Sequence, residues 1–257
     1  MKRVNYDDRL YRNYARGRAL TEAHYAVWAR AFARRLPPER PLAGVDVGSG
    51  TGRFTPLLAT EFGGPVTGVE PSDRMREVAA ELSAYPRVRY EKGRAEAIPL
   101  TDASADFALL FLVWHHVPDR PAAARELLRV VRPGGIVLLR TSFRDRLPQL
   151  WWLDAFPRGR EIEAALYEPL QVVLSTFTTA GWEFVALDEI EEPSPGSRVD
   201  QLARLKIRSL SLFEHFTSDE IASGFAELER RVAADPEAAI PPASSDLVVF
   251  RRPTGPL

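Results

Sequence analysis

Three glycines at alternate positions constrain this chain more than any other feature. Gly48, Gly50 and Gly52 come directly after the apolar residues 45–47. Glycine adopts positive φ without a steric penalty, and it lets a ligand lie close to the backbone. Residues 54–62 then carry apolar side chains at helical spacing. We therefore expect a helix from about Gly52, with free N–H groups beside the glycines that suit a negatively charged or electron-rich group.

An acidic residue ends the next strand-like segment. Residues 65–69 are small or apolar, and Glu70 follows them. A carboxylate at the tip of the second strand of a βαβ unit can accept hydrogen bonds from ribose hydroxyls. The glycines follow the spacing G-x-G-x-G, whereas the dinucleotide fingerprint is G-x-G-x-x-G. Together these features predict a nucleoside cofactor on a doubly wound α/β sheet, and they count against NAD.

Four stretches in order resemble the class I S-adenosylmethionine-dependent methyltransferases, and most closely the group that includes the ubiquinone/menaquinone-biosynthesis enzymes. They are residues 45–52, 69–75 and 93–100, and the turn Arg132-Pro133-Gly134-Gly135. The resemblance spans residues 40–140 and implies S-adenosyl-L-methionine as cofactor and methyl transfer as reaction. Many relatives have Asp where this chain has Arg94, so the contact to the adenine amino group falls to Glu96 or to a backbone carbonyl.

The resemblance also implies which residues contact the cofactor. In parallel sheets the ligand lies over the carboxyl ends of the strands, and most members of the set are at such ends. The set is Asp46, Gly48, Ser49, Gly50, Thr51, Gly52, Glu70, Pro71, Met75, Ala95, Glu96, Phe111 and Leu112.

Strand and helix patterns alternate over residues 42–140, which is typical of βαβ units. Two further strand-like segments, 182–190 and 246–251, follow. We predict an α/β fold with a doubly wound, seven-stranded, Rossmann-like methyltransferase sheet, a helical N-terminal arm and helical cap insertions. The expected division is an arm at 1–40 and a methyltransferase domain at 41–257, with insertions near 143–170 and 198–240.

The arm mixes aromatic and basic residues and has two interpretations. It is either a solvated helix packed on the sheet edge, or a cover over the cofactor in which tyrosines such as Tyr11 and Tyr14, together with Tyr6, wall the acceptor pocket. In the second case Arg12, Arg16 or Arg18 meets the methionyl carboxylate, and the sequence does not choose among them.

Two further segments are candidates for the acceptor site. Trp151 and Trp152 lie in an aromatic stretch that is either a core-facing helix or a lid over the acceptor; we favour the lid and assign both to substrate binding. The arginines of 140–146 and 158–160 are either a solvated rim or a contact for an anionic acceptor.

The neighbouring pair His115 and His116 follows the fourth strand. Neighbouring side chains point in different directions and no third ligand has usable spacing, so we expect no metal. In the family such a stretch shapes the pocket floor, and we assign His116 to substrate binding. His115 is the candidate general base because imidazole titrates near neutral pH.

Composition limits the remaining possibilities. The net charge is −1, the chain has no cysteine, and no apolar run is long enough for a membrane span. We therefore expect a cytoplasmic enzyme without a signal peptide, monomeric or homodimeric, that methylates an O, N or C nucleophile of a small organic acceptor rather than a nucleic acid. The alternative is a methyltransferase-like cofactor-binding protein with a regulatory or non-methylating role.

Overall fold

The computed structural model describes residues 6, 7, 11, 14, 17, 18, 20–194, 196–236, 238–240 and 243–255. Seven strands form one sheet in the order β3-β2-β1-β4-β5-β7-β6. Strands β1 to β5 are parallel, and β7 pairs antiparallel with both β5 and β6. The predicted fold class is confirmed. The strands are β1 Leu42–Val47, β2 Gly63–Glu70, β3 Val88–Lys92, β4 Ala105–Phe111, β5 Val131–Arg140, β6 Glu183–Glu192 and β7 Ala243–Arg251.

Helices precede and connect the strands. Several begin at a side-chain cap: Thr21 caps the helix that starts at Glu22, and Ser72 caps the helix that starts at Asp73. Within the described ranges, no helix combines the length and apolar character that crossing a bilayer requires. The helices are α1 Glu22–Ala33, α2 Thr55–Phe62, α3 Asp73–Leu82, α4 Arg120–Val130, α5 Gly159–Leu166, α6 Leu170–Thr179, α7 Arg198–Lys206 and α8 Ser218–Ala234.

The two faces of the sheet carry separate cores because successive side chains of a strand point to opposite faces. In β4, Phe107 and Leu109 join the core that contains α1 and α2. Ala108 and Leu110 join the core that contains α4 and α6. Both faces are covered by helices, which is why the central strands are apolar at nearly every position.

A third core lies outside the sheet. It draws on two separate segments of the chain, residues 150–166 and 202–232, which pack together around Phe156 and Phe213. We call this unit the cap. Its α7 and α8 begin at capping boxes, at Ser197 and Thr217, where the cap side chain and an acid three residues on satisfy each other's N–H groups.

Candidate active site

The glycine turn lies at the carboxyl end of β1. Gly48 and Gly50 both have positive φ, at 71° and 56°. A Cβ at Gly48 would overlap the side chain of Val113, so packing inside the protein requires glycine there. Among the described residues, a Cβ at Gly50 would have only Tyr14 near it, at 3.8 Å. The turn is therefore open to a ligand at Gly50.

The helix after the turn begins later than the sequence predicted. Helix α2 starts at Thr55, not near Gly52, and Phe54 precedes it without a side-chain cap. The N–H groups of Gly48 and Ser49 donate to the Val69 carbonyl at 2.7 and 3.2 Å. The N–H groups of Gly48 and Ser49 are thus satisfied within the protein.

Glu70 at the end of β2 connects to the turn. Its carboxylate accepts hydrogen bonds from the N–H groups of Gly50, at 3.0 Å, and Ser72, at 2.9 Å. The side chain is buried, with 8% of its surface exposed, and burial raises its pKa despite these two hydrogen bonds. A carboxylate has about four lone-pair sites, so Glu70 can still accept bonds from a ligand.

Asp46 supports the turn from below. It is buried and accepts a hydrogen bond from the Thr55 hydroxyl at 2.7 Å, which connects the end of β1 to the first turn of α2. Burial raises the pKa of Asp46 to about 6, against the opposing effect of the Thr55 hydroxyl. Asp46 lines neither of the two cavities described below, and the same is true of three other members of the predicted set: Ser49, Thr51 and Gly52.

A cavity of about 420 Å³ opens above the glycine turn; we call it the turn cavity. The other nine residues predicted to contact the cofactor line it. Met75 is almost fully buried there and gives the cavity an apolar side. The nine are Gly48, Gly50, Glu70, Pro71, Met75, Ala95, Glu96, Phe111 and Leu112.

A second cavity, of about 380 Å³, lies between the sheet ends and the cap; we call it the cap cavity. It adjoins the turn cavity, since both are bounded by some of the same side chains. A ligand in one cavity would therefore lie next to a ligand in the other. The shared residues are Tyr6, Tyr14, Phe111, Leu112, His115, His116 and Leu166.

Tyr6 and Tyr14 are the arm residues at this boundary. The Tyr6 hydroxyl lies 2.8 Å from Nε2 of His116, and its ring meets that of Tyr14 edge to face. Burial would raise the pKa of Tyr14, but the nearby Arg53 and Arg18 outweigh it, so this pKa is lowered. Tyr11 lines neither cavity.

The arginines predicted for the methionyl carboxylate are only partly described. Arg12 and Arg16 lie outside the described residues. Arg18 lines the cap cavity, and so does Arg53, whose guanidinium donates to the Arg18 carbonyl at 2.7 Å. The sequence did not suggest Arg53, although it directly follows the last glycine of the turn.

His115 lines both cavities and is half-buried. Burial, followed by the neighbouring His116 and Arg18, holds its pKa well below its usual value. Its Nδ1 has no hydrogen-bond partner among the described residues. His115 is therefore neutral at pH 7 and a weak base. In the described part of the chain, no three His, Cys, Asp or Glu side chains group as metal ligands.

The two tryptophans have different surroundings. Trp152 is 4% exposed; it packs against Phe156 and Phe213 in the cap core and also lines the cap cavity. Trp151 lines neither cavity, and its indole N–H donates to Gln201. Trp152 thus fits both interpretations, because it packs in the cap core and also lines the cap cavity. Trp151 contributes only to the packing of the cap.

Charged residues from several elements line the cap cavity. Glu163 of α5 is 5% exposed, and burial raises its pKa to about 7, partly offset by Arg160. Sequence analysis missed this residue, because nothing in the sequence distinguishes it from Glu161, which is exposed on the same helix. Among the arginines of 140–146 and 158–160, Arg140 alone lines the cavity. Arg146 and Arg158 instead form ion pairs elsewhere.

Comparison with known proteins finds similar proteins for the part of the chain that forms this geometry. Residues 45–139 match the family model described as a methyltransferase domain. A demethylmenaquinone methyltransferase of Staphylococcus aureus is 32% identical over 127 residues, which is 48% of this chain and 53% of that protein. The chain therefore spans about half the length of the curated relatives it matches. These matches confirm the resemblance that the four motifs indicated.

Solved structures extend the likeness in fold to nearly the whole chain. A putative methyltransferase from an antibiotic biosynthesis pathway of Anabaena variabilis superposes with a TM-score of 0.68 at 22% identity, over 90% of this chain and 99% of that one. The 4+2 cyclase SpnF superposes with a TM-score of 0.61 at 19% identity, over 89% and 80%. At these identities the likeness concerns the fold.

Proposed function

We propose that this chain, in which residues 45–139 form a methyltransferase domain, transfers a methyl group from S-adenosyl-L-methionine to a small organic acceptor. The observation that carries the proposal is the pair of adjoining cavities. The turn cavity is lined by residues of the family's cofactor motifs, and the cap cavity meets it at Tyr14, Phe111 and His115.

The residues of the turn cavity fit the cofactor. Glu70 has acceptor sites left for ribose hydroxyls, and Gly50 leaves the backbone open to close approach. Met75 and Ala95 provide apolar walls for an adenine ring, and Glu96 lies beside them as an acceptor. When bound, the cofactor supplies a methyl group already activated by the sulfonium.

The protein's own contribution is then positioning. The half-buried side chains at the boundary hold the acceptor against the cofactor end and exclude water. Such alignment can lower a barrier by roughly 7–11 kcal/mol. A weakly acidic acceptor also needs a base, and neutral His115 remains our candidate for that role, although its low pKa makes it a weak one.

We also propose how the protein works as a whole. The arm at 1–40 and the two insertions near 143–170 and 198–240 close the acceptor side of the domain at 41–257. The acceptor is a small molecule and not a nucleic acid, consistent with a net charge of −1. We propose a monomer or homodimer in the cytoplasm.

A second candidate function is cofactor binding without methyl transfer. One specific observation favours it: burial lowers the pKa of His115, our candidate base at the boundary, and so makes it a weak base. The intact glycine turn and Glu70 serve either function equally, so cofactor binding alone does not separate them.

Thermal unfolding with excess S-adenosylhomocysteine, NAD and NADP in parallel tests the cofactor. A ligand at 100 times its Kd stabilises by about 2.7 kcal/mol, a shift of several degrees at roughly 2–4 °C per kcal/mol. We expect a shift with S-adenosylhomocysteine alone. A shift with NAD or NADP alone would overturn the proposal. Release of S-adenosylhomocysteine from S-adenosylmethionine with a panel of small phenols, amines and acids then tests turnover.

A further inference from the structure

We infer that the cap cavity binds its acceptor through an oxyanion, a carboxylate or phosphate, which Arg140 and Arg204 hold. This inference rests on the proposed function, since it names the class of acceptor for the same site. Both arginines line the cap cavity, and neither lines the turn cavity.

Arg140 presents an unused donor in a buried position. It ends β5, its side chain is 13% exposed, and its Nη2 donates to Ser245 and lies 3.5 Å from Glu192. Its Nε has no hydrogen-bond partner among the described residues. A buried donor left unpaired costs about 1–3 kcal/mol, so a ligand that accepts from Nε would remove that cost.

Arg204 presents a second unused donor from the cap side. It lies on α7, opposite the end of the sheet, and its Nη2 is buried and unpaired within the described part of the chain. The nearest acid on its helix, Asp200, is engaged with the backbone and hydroxyl of Ser197 in the capping box. Arg204 therefore keeps donor capacity for a group inside the cavity.

The charges that line the cap cavity do not balance. Among the described residues of its wall, four arginines face two acids, so the sum is +2 with both acids ionised, and it rises when Glu163 is protonated. Buried charges are normally paired, and an anionic ligand would supply the missing charge. The arginines are Arg18, Arg53, Arg140 and Arg204, and the acids are Glu163 and Glu192.

The four arginines form two groups. Arg53 donates to the Arg18 carbonyl and lies 5.6 Å from the centre of the Tyr14 ring, and Tyr14 in turn faces Gly50 of the glycine turn. That pair is next to the cofactor side of the boundary. Arg140 and Arg204 remain for the acceptor.

The rest of the wall defines the body of the ligand. Apolar side chains of the cap, including Leu150, Trp152 and Phe213, line the same cavity. An acceptor that suits this surface has an apolar body and an oxyanion head. A guanidinium binds carboxylate and phosphate through the same planar pair of donors. The same two arginines can therefore bind an acceptor with either head group.

Three probes with the same apolar chain test this inference: octanoate, octyl phosphate and octan-1-ol. Binding is measured by calorimetry on the full chain, with and without saturating S-adenosylhomocysteine. We expect at least one of the two anions to bind at least tenfold more tightly than the alcohol, and the comparison of octanoate with octyl phosphate identifies the head group. Equal binding of all three would overturn the inference.

Substitutions locate the site. R140M and R204M keep the length of the side chain without its charge and should each reduce the preference for the anion at least fivefold, whereas R140K and R204K retain part of it. R89M, at an exposed position on β3, is the matched control and should change nothing. Unchanged preference in both Met variants would place the anion elsewhere and overturn the inference.

The two proposals fail in different ways. If S-adenosylhomocysteine does not bind, the proposed function fails, and the probe titrations without it still report on the anion site. If S-adenosylhomocysteine binds and the probes show no preference, the inference alone fails. Should a Met variant not fold, as judged by its thermal unfolding, the wild-type preference and the Lys variants still decide the outcome.

Discussion

The Glu70 carboxylate accepts a hydrogen bond from the N–H of Gly50 at 3.0 Å, which ties the tip of β2 to the open point of the glycine turn. The same carboxylate accepts from Ser72, at the cap of α3. One buried acid thus fixes the backbone on both sides of the turn cavity and still faces its interior. The shape of the cavity and its polar acceptor depend on the same side chain.

Replacing Glu70 with Ala should weaken the binding of S-adenosylhomocysteine by about 10- to 150-fold. Hydrogen bonds to a charged group are each worth about 1.5–3 kcal/mol, and the turn also loses its support at Gly50. Titration calorimetry measures the change. Glu77→Ala, on the exposed side of α3, is the control, and equal affinities for the two variants would refute the role of Glu70.

Gly50→Ala should abolish cofactor binding without unfolding the protein. A positive φ costs an alanine roughly 1–2 kcal/mol, and the new methyl group would enter the turn cavity. Gly63→Ala is the matched control, because Gly63 also has positive φ, at 73°, with only Pro41 near its missing Cβ at 3.8 Å. Thermal unfolding should show similar losses for both variants. If both kept their affinity for S-adenosylhomocysteine, the open side of Gly50 would not be the cofactor's path.

Trp152→Ala should destabilise the cap far more than Trp151→Ala. Removing a large buried aromatic side chain costs about 3–5 kcal/mol. Trp151 is only partly buried; it would lose its hydrogen bond to Gln201, worth about 1 kcal/mol, and its contacts with Arg198 and the edge of the cap core. Hydrogen exchange over 150–166 and 198–234 measures cap stability, and cofactor affinity should persist in both variants. A larger effect at Trp151 would contradict this assignment.

Glu163→Gln should stabilise the protein more at pH 8 than at pH 5. Burial raises the pKa of Glu163 from 4.5 to about 7, so the folded protein keeps a proton that the unfolded chain has released. The stability linked to this group is complete below pH 4.5 and is lost as the pH rises through about 7. Glutamine removes the dependence. Melting temperatures of the wild type and the variant at pH 5 and pH 8 measure this effect. Glu161→Gln, at an exposed position on the same helix, is the control. The prediction is contradicted if Glu163→Gln changes the melting temperature equally at both pH values.

The sheet could be predicted because its signals are local. Apolar runs such as 107–111 form strands that are buried on both faces. The glycines mark a turn, and close packing against Val113 requires glycine at position 48. The start of α2 could not be predicted, since the N–H groups before it bond to Val69 and Glu70, which are distant in sequence.

The charged part of the site was beyond sequence analysis for a related reason. Arg140, Arg146 and Arg158 cannot be told apart by sequence. In the structure Arg146 forms an ion pair with an acid of β7 and Arg158 with an acid of α8, whereas Arg140 lines the cap cavity. Glu163 likewise differs from Glu161 only by the face of α5 that it occupies. Which charge is buried depends on tertiary partners.

The position of β7 between β5 and β6 has a consequence for synthesis on the ribosome. Strands β1 to β5, with the glycine turn and Glu70, can pair as they emerge, because each strand after β1 finds a neighbour among earlier strands. Strand β6 has no partner until Ala243–Arg251 has left the exit tunnel, and its hydrogen-bonding groups stay unpaired over that interval. The nascent chain can thus acquire its cofactor cavity before its sheet is closed, and a nascent-chain complex arrested before residue 243 should already bind S-adenosylhomocysteine.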